Sequence, residues 1–423
     1  MKLDSDQETI VNSKEQNILV VAGAGSGKTR VLTNRVEHLI NEGVKPCNIV
    51  CITFTNMAAQ EMKARLSSIE GVQEAFIGTI HSFANSIYKN SGVFYRILNA
   101  EIELSIYNEI LHSSMGMRKF KYLKIERLTK YFAKRALFER GKIFKEEFNN
   151  YLNRNEKHDL EIAEKLMEEA CRRRNIITFN ELLRKTKEYY SSIGGQVEYL
   201  LVDELQDVGS LEFSFIKSLN ATNNFFVGDD WQSIYSFKGG DVNIFKELVN
   251  DDSYKKYFLN NNYRNTKNIV DMGNEIINQV DDKVNKETVV KNTSTDGNVE
   301  VSTQDRLDVY LRIIDKQENY KDWFILVRSN RELVEISRKL TKLRMPYITF
   351  KKAGMGYKQL QELMERNTIK LLTVHSAKGL ESKNVILYGK FPIEKPSYIK
   401  DDEERKVMYV GVTRAEETLV ILN

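Results

Sequence analysis

The chain has 423 residues, 41% hydrophobic and 29% charged, with a net charge of +4, which is the balance of a globular protein of two to four domains rather than a disordered or fibrous one. No apolar run approaches the ~18 residues of a membrane span, and Met1-Lys2-Leu3-Asp4-Ser5-Asp6-Gln7 holds no apolar core for a secretory signal. Three cysteines (Cys47, Cys51, Cys171) without CxxC spacing cannot pair evenly, and they predict buried, reduced thiols in a cytoplasmic protein.

The first predicted strand, residues 18–21, runs into Ala22-Gly23-Ala24-Gly25-Ser26-Gly27-Lys28-Thr29 and then into helix-like sequence. Strand, glycine-rich loop and Lys-Thr opening a helix is a geometry that cradles phosphates. Backbone N–H groups crowd the oxygens, Lys28 reaches the outer phosphates, and the Thr29 hydroxyl can ligate Mg²⁺. The strict pattern has glycine where Ala22 stands, so the match is one position short. The context nevertheless predicts a nucleoside triphosphate site.

Further strand-like runs at 49–53, 76–78, 199–202 and 225–227 alternate with helical stretches, which predicts a parallel, doubly wound sheet. Between about residues 88 and 175 the strand pattern gives way to charged, helix-periodic sequence, read as a helical insertion. Within it, residues 118–145 carry eleven Lys/Arg against two acids, Glu126 and Glu139. Phe120, Tyr122, Tyr131, Phe132, Phe138 and Phe144 interleave with these charges. Two readings stay open: a solvated basic face whose aromatics pack inward, or a surface that tracks nucleic-acid phosphates.

Leu200-Leu201-Val202-Asp203-Glu204-Leu205-Gln206-Asp207 is an apolar strand ending in adjacent carboxylates. At a strand's C-terminal end Asp203 can hold Mg²⁺ beside Thr29, while Glu204 orients and deprotonates an attacking water. The strand at 225–227 leads into Gly228-Asp229-Asp230-Trp231-Gln232-Ser233-Ile234-Tyr235-Ser236-Phe237. There Gln232 suits a γ-phosphate or lytic-water contact; Tyr235 and Phe237 suit base stacking at about 1–3 kcal/mol per base, or are two half-buried aromatics on a loop.

A second set of strands is predicted at 257–259, 299–303, 323–327, 347–350, 369–374, 385–388 and 419–422, with the polar segment 281–298 as a surface loop. This makes an α/β chain of two doubly wound lobes, the first interrupted by helices. Arg264, in Asn260-Asn261-Asn262-Tyr263-Arg264, and Arg414, in Tyr409-Val410-Gly411-Val412-Thr413-Arg414-Ala415, both fall in the second half. A two-lobed ATPase draws its transition-state cations from there.

At this point the sequence resembles the superfamily 1A DNA helicases of the UvrD/Rep/PcrA type along its whole length. Leu3 to Gln7 resembles the Q motif, Thr53-Phe54-Thr55-Asn56-Met57-Ala58-Ala59 motif Ia, and Gly78-Thr79-Ile80-His81-Ser82 motif Ib. The Asp-Glu-x-Gln-Asp, Gly-Asp-x-x-Gln-Ser-Ile-Tyr and Asn-Tyr-Arg segments resemble motifs II, III and IV. Thr373-Val374-His375-Ser376-Ala377-Lys378-Gly379-Leu380-Glu381 resembles motif V, and residues 409–415 resemble motif VI. Met57 stands where the family has Lys, Phe237 where it has Trp, Lys238 where it has Arg, and Ser382 where it has an aromatic residue.

The resemblance implies two RecA-like lobes, 1A (residues 1–88 and 176–254) and 2A (255–423), with a DNA-contacting insertion 1B (89–175). Only 109 positions separate Arg264 from Thr373, so the 2B insertion is expected to be absent or vestigial. It implies that Gln7 reads adenine, Tyr263 stacks on it, Glu381 lies near the ribose and Arg30 near the nucleotide. Arg264 and Arg414 are expected on the γ-phosphate, with Gln232 coupling nucleotide state to DNA. Phe54, Asn56, His81, Tyr235, Phe237 and His375 are the expected single-strand contacts. The implied activity is ATP- and Mg²⁺-dependent 3′→5′ movement on single-stranded or 3′-tailed DNA. The alternative is a nucleotide-gated subunit beside a partner nuclease, as in Gabija-like anti-phage systems.

Overall fold

A computed structural model describes residues 2–112, 120, 123–139, 157–235, 240–291, 295–350, 355–391 and 402–422. Six strands form the first sheet: β1 (Asn17–Ala22), β2 (Ile49–Thr53), β3 (Phe76–Thr79), β4 (Tyr199–Val202), β5 (Asn223–Gly228) and β6 (Lys255–Leu259). Their spatial order is β3-β2-β4-β5-β1-β6, and every pairing is parallel. β1, Asn-Ile-Leu-Val-Val-Ala, is buried from its second residue onward, as a sheet covered on both faces requires. Alternation then sorts its side chains. Leu19 and Val21 join Ile52, Val202 and Phe226 on one face; Ile18 and Val20 join Val31, Leu32 and Val36 on the other.

The second sheet contains β7 (Asn298–Ser302), β8 (Trp323–Val327), β9 (Tyr347–Ile348), β10 (Ile369–Thr373), β11 (Ser382–Tyr388) and β12 (Ala415–Leu422). Its order is β7-β12-β11-β8-β10-β9, again with parallel pairs. Two doubly wound lobes are therefore present. One hydrophobic cluster joins them, with Ala24, Met57, Trp231 and Ile234 of the first lobe against Leu360, Ala377, Leu380 and Tyr409 of the second.

The helices Ala100–His112, Ile125–Glu139 and Lys157–Arg173 pack around their own core of Tyr107, Leu128, Tyr131, Leu160 and Ala163. Phe120, Phe132 and Phe138 belong to that core as well. So the described aromatics of the basic stretch pack inward, and Arg135 pairs with Glu139 at 3.2 Å and also with Glu164. Tyr122, Phe144 and several of the cations lie outside the described residues.

Four expectations need correcting. The strand at 257–259 belongs to the first sheet, because β6 runs alongside β1 from Ile18↔Lys255 to Ala22↔Leu259. As an edge strand it needs only one partner and tolerates Lys255 and Lys256. The strand-free insertion in fact begins and ends in a short parallel pair, Arg96–Ile97 with Ile176–Ile177. The segment 281–298 is no simple surface loop: Val289–Val290 pairs with Asn261–Asn262, and the Lys286 side chain is buried. Of the thiols, Cys51 is buried, Cys171 half-buried and Cys47 exposed in the turn that enters β2. Among the described residues no helix is long and apolar enough to cross a membrane.

Candidate active site

The order β4-β5-β1-β6 sets four motifs side by side at the C-terminal ends of adjacent strands. β1 ends in the glycine-rich loop, β4 in Asp203-Glu204, β5 in Asp229 to Gln232, and β6 in Asn260 to Arg264. Ligands of parallel α/β sheets bind outside this edge. Ala22 is still part of β1, fully buried, so the non-glycine at that position closes the strand and leaves the loop itself intact.

Within the loop, Gly25 (φ +66°) and Gly27 (φ +85°) take left-handed conformations. A Cβ at Gly25 would lie 2.8 Å from Asn262 Oδ1 and the Arg264 side chain; at Gly27 it would lie 2.9 Å from Gln7 Nε2. Both positions thus need glycine on two counts. The helix Lys28–Asn41 opens directly behind, so its free N–H groups and dipole face the loop. Ala24 and Ser26 are buried within it, and the Ser26 hydroxyl donates to the Gly23 carbonyl at 2.9 Å. Arg30 lies in the first helical turn.

Gln7 is 1% exposed and donates through Nε2 to the Ser26 carbonyl at 3.1 Å. It is held by a capping box with Asp4 at the start of the helix Ser5–Val11. The Tyr263 hydroxyl donates to the same Asp4, and its backbone N–H donates to the Gly25 carbonyl at 3.0 Å. Gln7 and the 37%-exposed Tyr263 therefore flank one end of the loop, where the resemblance expects a base.

Charges at the centre form a chain of contacts. Lys28 Nζ lies 3.1 Å from Asp229 Oδ2, Gln232 Nε2 donates to the same oxygen at 2.5 Å, and Arg414 donates to Gln232 Oε1 at 3.3 Å. Lys286 Nζ pairs with Asp229 at 2.6 Å and Asp230 at 3.0 Å, and donates to the Ala22 carbonyl at 3.1 Å. Burial alone would push the Asp229 carboxyl up, but Lys28 and Lys286 hold it well below the usual carboxylate range. Arg414 is 1% exposed, and burial together with the neighbouring Arg264 pushes its guanidinium down to about 9. Arg264 pairs with Glu381 and donates to the Thr413 carbonyl at 3.4 Å.

The β4 carboxylates behave differently from each other. Burial and the adjacent Glu204 push Asp203 upward. Glu204 is raised by burial too, yet Lys378, Lys28 and the Gln206 amide outweigh that and leave it below its ordinary value. Its backbone has φ +52°, a left-handed conformation held by a tight turn in which its carbonyl accepts from the Asp207 N–H at 2.9 Å. No cluster of three or more metal-ligating side chains occurs among the described residues. Mg²⁺ held chiefly by nucleotide phosphates needs only one or two protein oxygens. Asp203, an acid raised by burial and by the adjacent Glu204, fits that demand together with the Thr29 hydroxyl.

The DNA candidates fall into two groups. Phe54 stacks on Tyr235 with centroids 5.3 Å apart, and the Tyr235 hydroxyl donates to the His375 carbonyl at 3.0 Å. His81 sits apart from these, edge-on to Phe179 at 4.8 Å. Asn56 is exposed at the start of the helix Asn56–Leu66, and Phe237 lies outside the described residues. Met57, in place of a lysine, is buried against the second lobe, whose helix Tyr357–Glu365 packs on this one. Ser382 is likewise buried and donates to the Asp322 carbonyl at 2.8 Å, in space no aromatic ring would share.

Lys286, Lys378 and Phe179 were not singled out from sequence. Phe179 is 44% exposed, and its partner His81 is 98 positions away, a link only the fold makes.

Two parallel-sheet lobes, with a phosphate loop on one and cations brought to it from the other, define the tandem RecA-like class of P-loop proteins. Residues 3–253 match the UvrD/REP helicase N-terminal domain, and residues 257–355 and 349–423 match the UvrD-like helicase C-terminal domain. The chain belongs to the UvrD/REP helicase family. It is 27% identical over 457 residues to a probable DNA helicase of Mycoplasma pneumoniae, covering 100% of this chain and 83% of that protein. It is 31% identical over 378 residues to the ATP-dependent DNA helicase PcrA of Staphylococcus epidermidis, and 29% over 373 residues to a probable DNA helicase II homolog of Mycoplasma capricolum. The matches to these two cover 82% of this chain and about half of each relative (50% and 51%).

Proposed function

We propose that the protein is an ATP-dependent DNA motor that hydrolyses ATP with Mg²⁺ and moves 3′→5′ on single-stranded DNA. One observation carries the reading: Arg414 from the second lobe reaches Gln232 of the first, beside the phosphate loop. Each lobe therefore holds half of one site, and closing and opening it is mechanical work. Lys28, released from Asp229, would take the outer phosphates, and Glu204 would orient and deprotonate the attacking water. Mg²⁺, held by Thr29, Asp203 and the phosphates, would neutralise charge developing on the β/γ oxygens. Arg264 and Arg414 would offset the remaining negative charge. Gln7, Tyr263 and Glu381 would hold the base and ribose, with Arg30 beside them.

Phe54, Asn56, His81, Tyr235, Phe237 and His375 would grip the strand, with the cations of residues 118–145 on its phosphates. The motor would work in the cytoplasm, where its DNA is. The test is steady-state ATP turnover with and without single-stranded DNA, followed by unwinding of a 3′-tailed duplex. Turnover stimulated by DNA and abolished by Lys28→Ala is expected. Normal turnover in that variant would sink the assignment. The contact of the helix Tyr357–Glu365 with the motif Ia helix favours a second reading, because it ties the lobes together where strand separation needs them to swing. Hydrolysis without unwinding would then mark a nucleotide-gated subunit of a partner nuclease.

A further inference from the structure

Lys378 connects two parts of the molecule that the proposed function leaves separate. It follows the one-turn helix Val374–Ala377 and is buried, with a side chain 6% exposed. Its ammonium donates to Asp207 Oδ2 at 2.5 Å and to the Gln232 carbonyl at 2.8 Å, and lies 3.7 Å from Glu204 Oε2. The same ammonium sits 5.0 Å from the centre of the Tyr235 ring. Tyr235 is in turn engaged by Phe54 and bonded to the carbonyl of His375, in the turn that ends at Lys378. A compact ammonium with three donors, shared among two carboxylates, a carbonyl and a ring, redistributes its field when any partner moves. The Coulomb term between charges this close is steep in distance.

We propose that Lys378 is a positioning residue that transmits engagement of the Phe54–Tyr235 stack to the Glu204 carboxylate. A base that shifts Tyr235 drags the turn and the ammonium with it, and Glu204 is re-aimed. The arginines of the second lobe stabilise charge on the nucleotide; Lys378 instead sets the group that activates water. Its neighbour Asp207 is the anchor: burial pushes this carboxyl up to about 7, which Lys378 offsets only in part. The inference rests on the ATPase reading above.

The experiment is a double-variant cycle in the full chain, with Lys378→Met, Tyr235→Leu and both together. It reads kcat and KM for ATP with and without oligo-dT, and oligo-dT affinity by anisotropy. Lys378→Met is expected to lower DNA-stimulated kcat by about 30-fold, with KM and DNA affinity each within about threefold. In the Tyr235→Leu background the same change is expected to cost less than about threefold, because the link is already cut. Lys378→Arg, which keeps the charge, should recover part of the stimulation. Should Lys378→Met melt below the assay temperature, Asp207→Asn, which removes the anchor and keeps the lysine, enters the same cycle with the same non-additivity expected. Additive losses, or a loss confined to KM, overturn the proposal. A wild-type chain that does not hydrolyse ATP overturns the ATPase reading itself, whereas hydrolysis that DNA does not stimulate, or stimulated wild type with an additive cycle, overturns only the link.

Discussion

The two lobes contribute opposite charge to the surface where they meet. The first supplies Asp203, Glu204, Asp207, Asp229 and Asp230, all at the ends of β4 and β5; residues after β6 supply Arg264, Lys286, Lys378 and Arg414. The cations that cross include Lys286 on Asp229 and Asp230, Lys378 on Asp207 and Glu204, and Arg414 on Gln232. At the half-exposed rim the sign reverses, in Lys246–Asp282 at 2.5 Å. On the proposed function, nucleotide phosphates would compete with Asp229 for Lys28 and with Gln232 for Arg414. Closure would then be sensitive to what fills the site.

The largest way to break the comparison is to remove a second-lobe cation that the nucleotide is meant to capture. Arg414→Ala is expected to lower kcat about 10³-fold or more, the scale of an arginine finger. ATP affinity, followed with a fluorescent analogue, should change less than tenfold. A loss expressed only in affinity would make Arg414 a binding group and the charge division a matter of docking alone.

Lys286→Met tests the cation that the proposed function leaves on the acidic half. It strands the fully buried Asp229 and Asp230 with less positive charge, which typically costs about 3–5 kcal/mol. Chemical unfolding should show that loss, and Lys28 should be held more tightly by Asp229, raising KM for ATP. An unchanged midpoint would mean that the acidic half tolerates its own charge.

Much of this was legible in the chain, and the exceptions have physical causes. Glycines, Lys28 and the Asp203-Glu204 pair declare themselves because local backbone geometry and an apolar strand fix their surroundings. Leu128, Tyr131 and Phe138 repeat at helical spacing, which agrees with the inward packing of these side chains, but period alone left a nucleic-acid surface equally open. Lys286 was not: it is one of three lysines in a polar segment, with Lys283 and Lys291, and is buried where Val289–Val290 returns to pair with Asn261–Asn262. β6 was assigned to the wrong lobe because alternation reveals a strand but never its partner.

Apolar contact is a second tie between the lobes. Met57 is 7% exposed, and the Gln60 side chain beside it accepts from the Tyr357 N–H at 2.7 Å. Met57→Ala is expected to cost about 2 kcal/mol in chemical unfolding. A neutral result would leave the crossing charges as the main tie.

Lys370 supplies the sharpest contrast, because it is a second-lobe cation away from the acidic half. It is fully buried, its ammonium donates to the carbonyls of Arg366 at 2.8 Å and Lys321 at 3.4 Å, and no carboxylate among the described residues pairs with it. Lys378 is also buried, yet Asp207 and Glu204 more than offset that and raise it above the usual lysine range. Lys370 goes the other way: burial pushes it down to about 8, against the smaller pull of Asp322 and Glu365. An unfolded lysine keeps its proton to about 10.4. Between those values the unfolded chain binds more protons than the folded one, so stability rises with pH through the window, and the penalty is fully present below about 8. Lys370→Met removes the titrating group. Wild type should therefore gain on the variant as pH is raised from 8 toward 10, by at most about 1.4 kcal/mol per unit. Parallel pH profiles of the two melting temperatures would mean that Lys370 stays charged on carbonyls alone, and that a carboxylate partner is not what decides the fate of a buried cation in this fold.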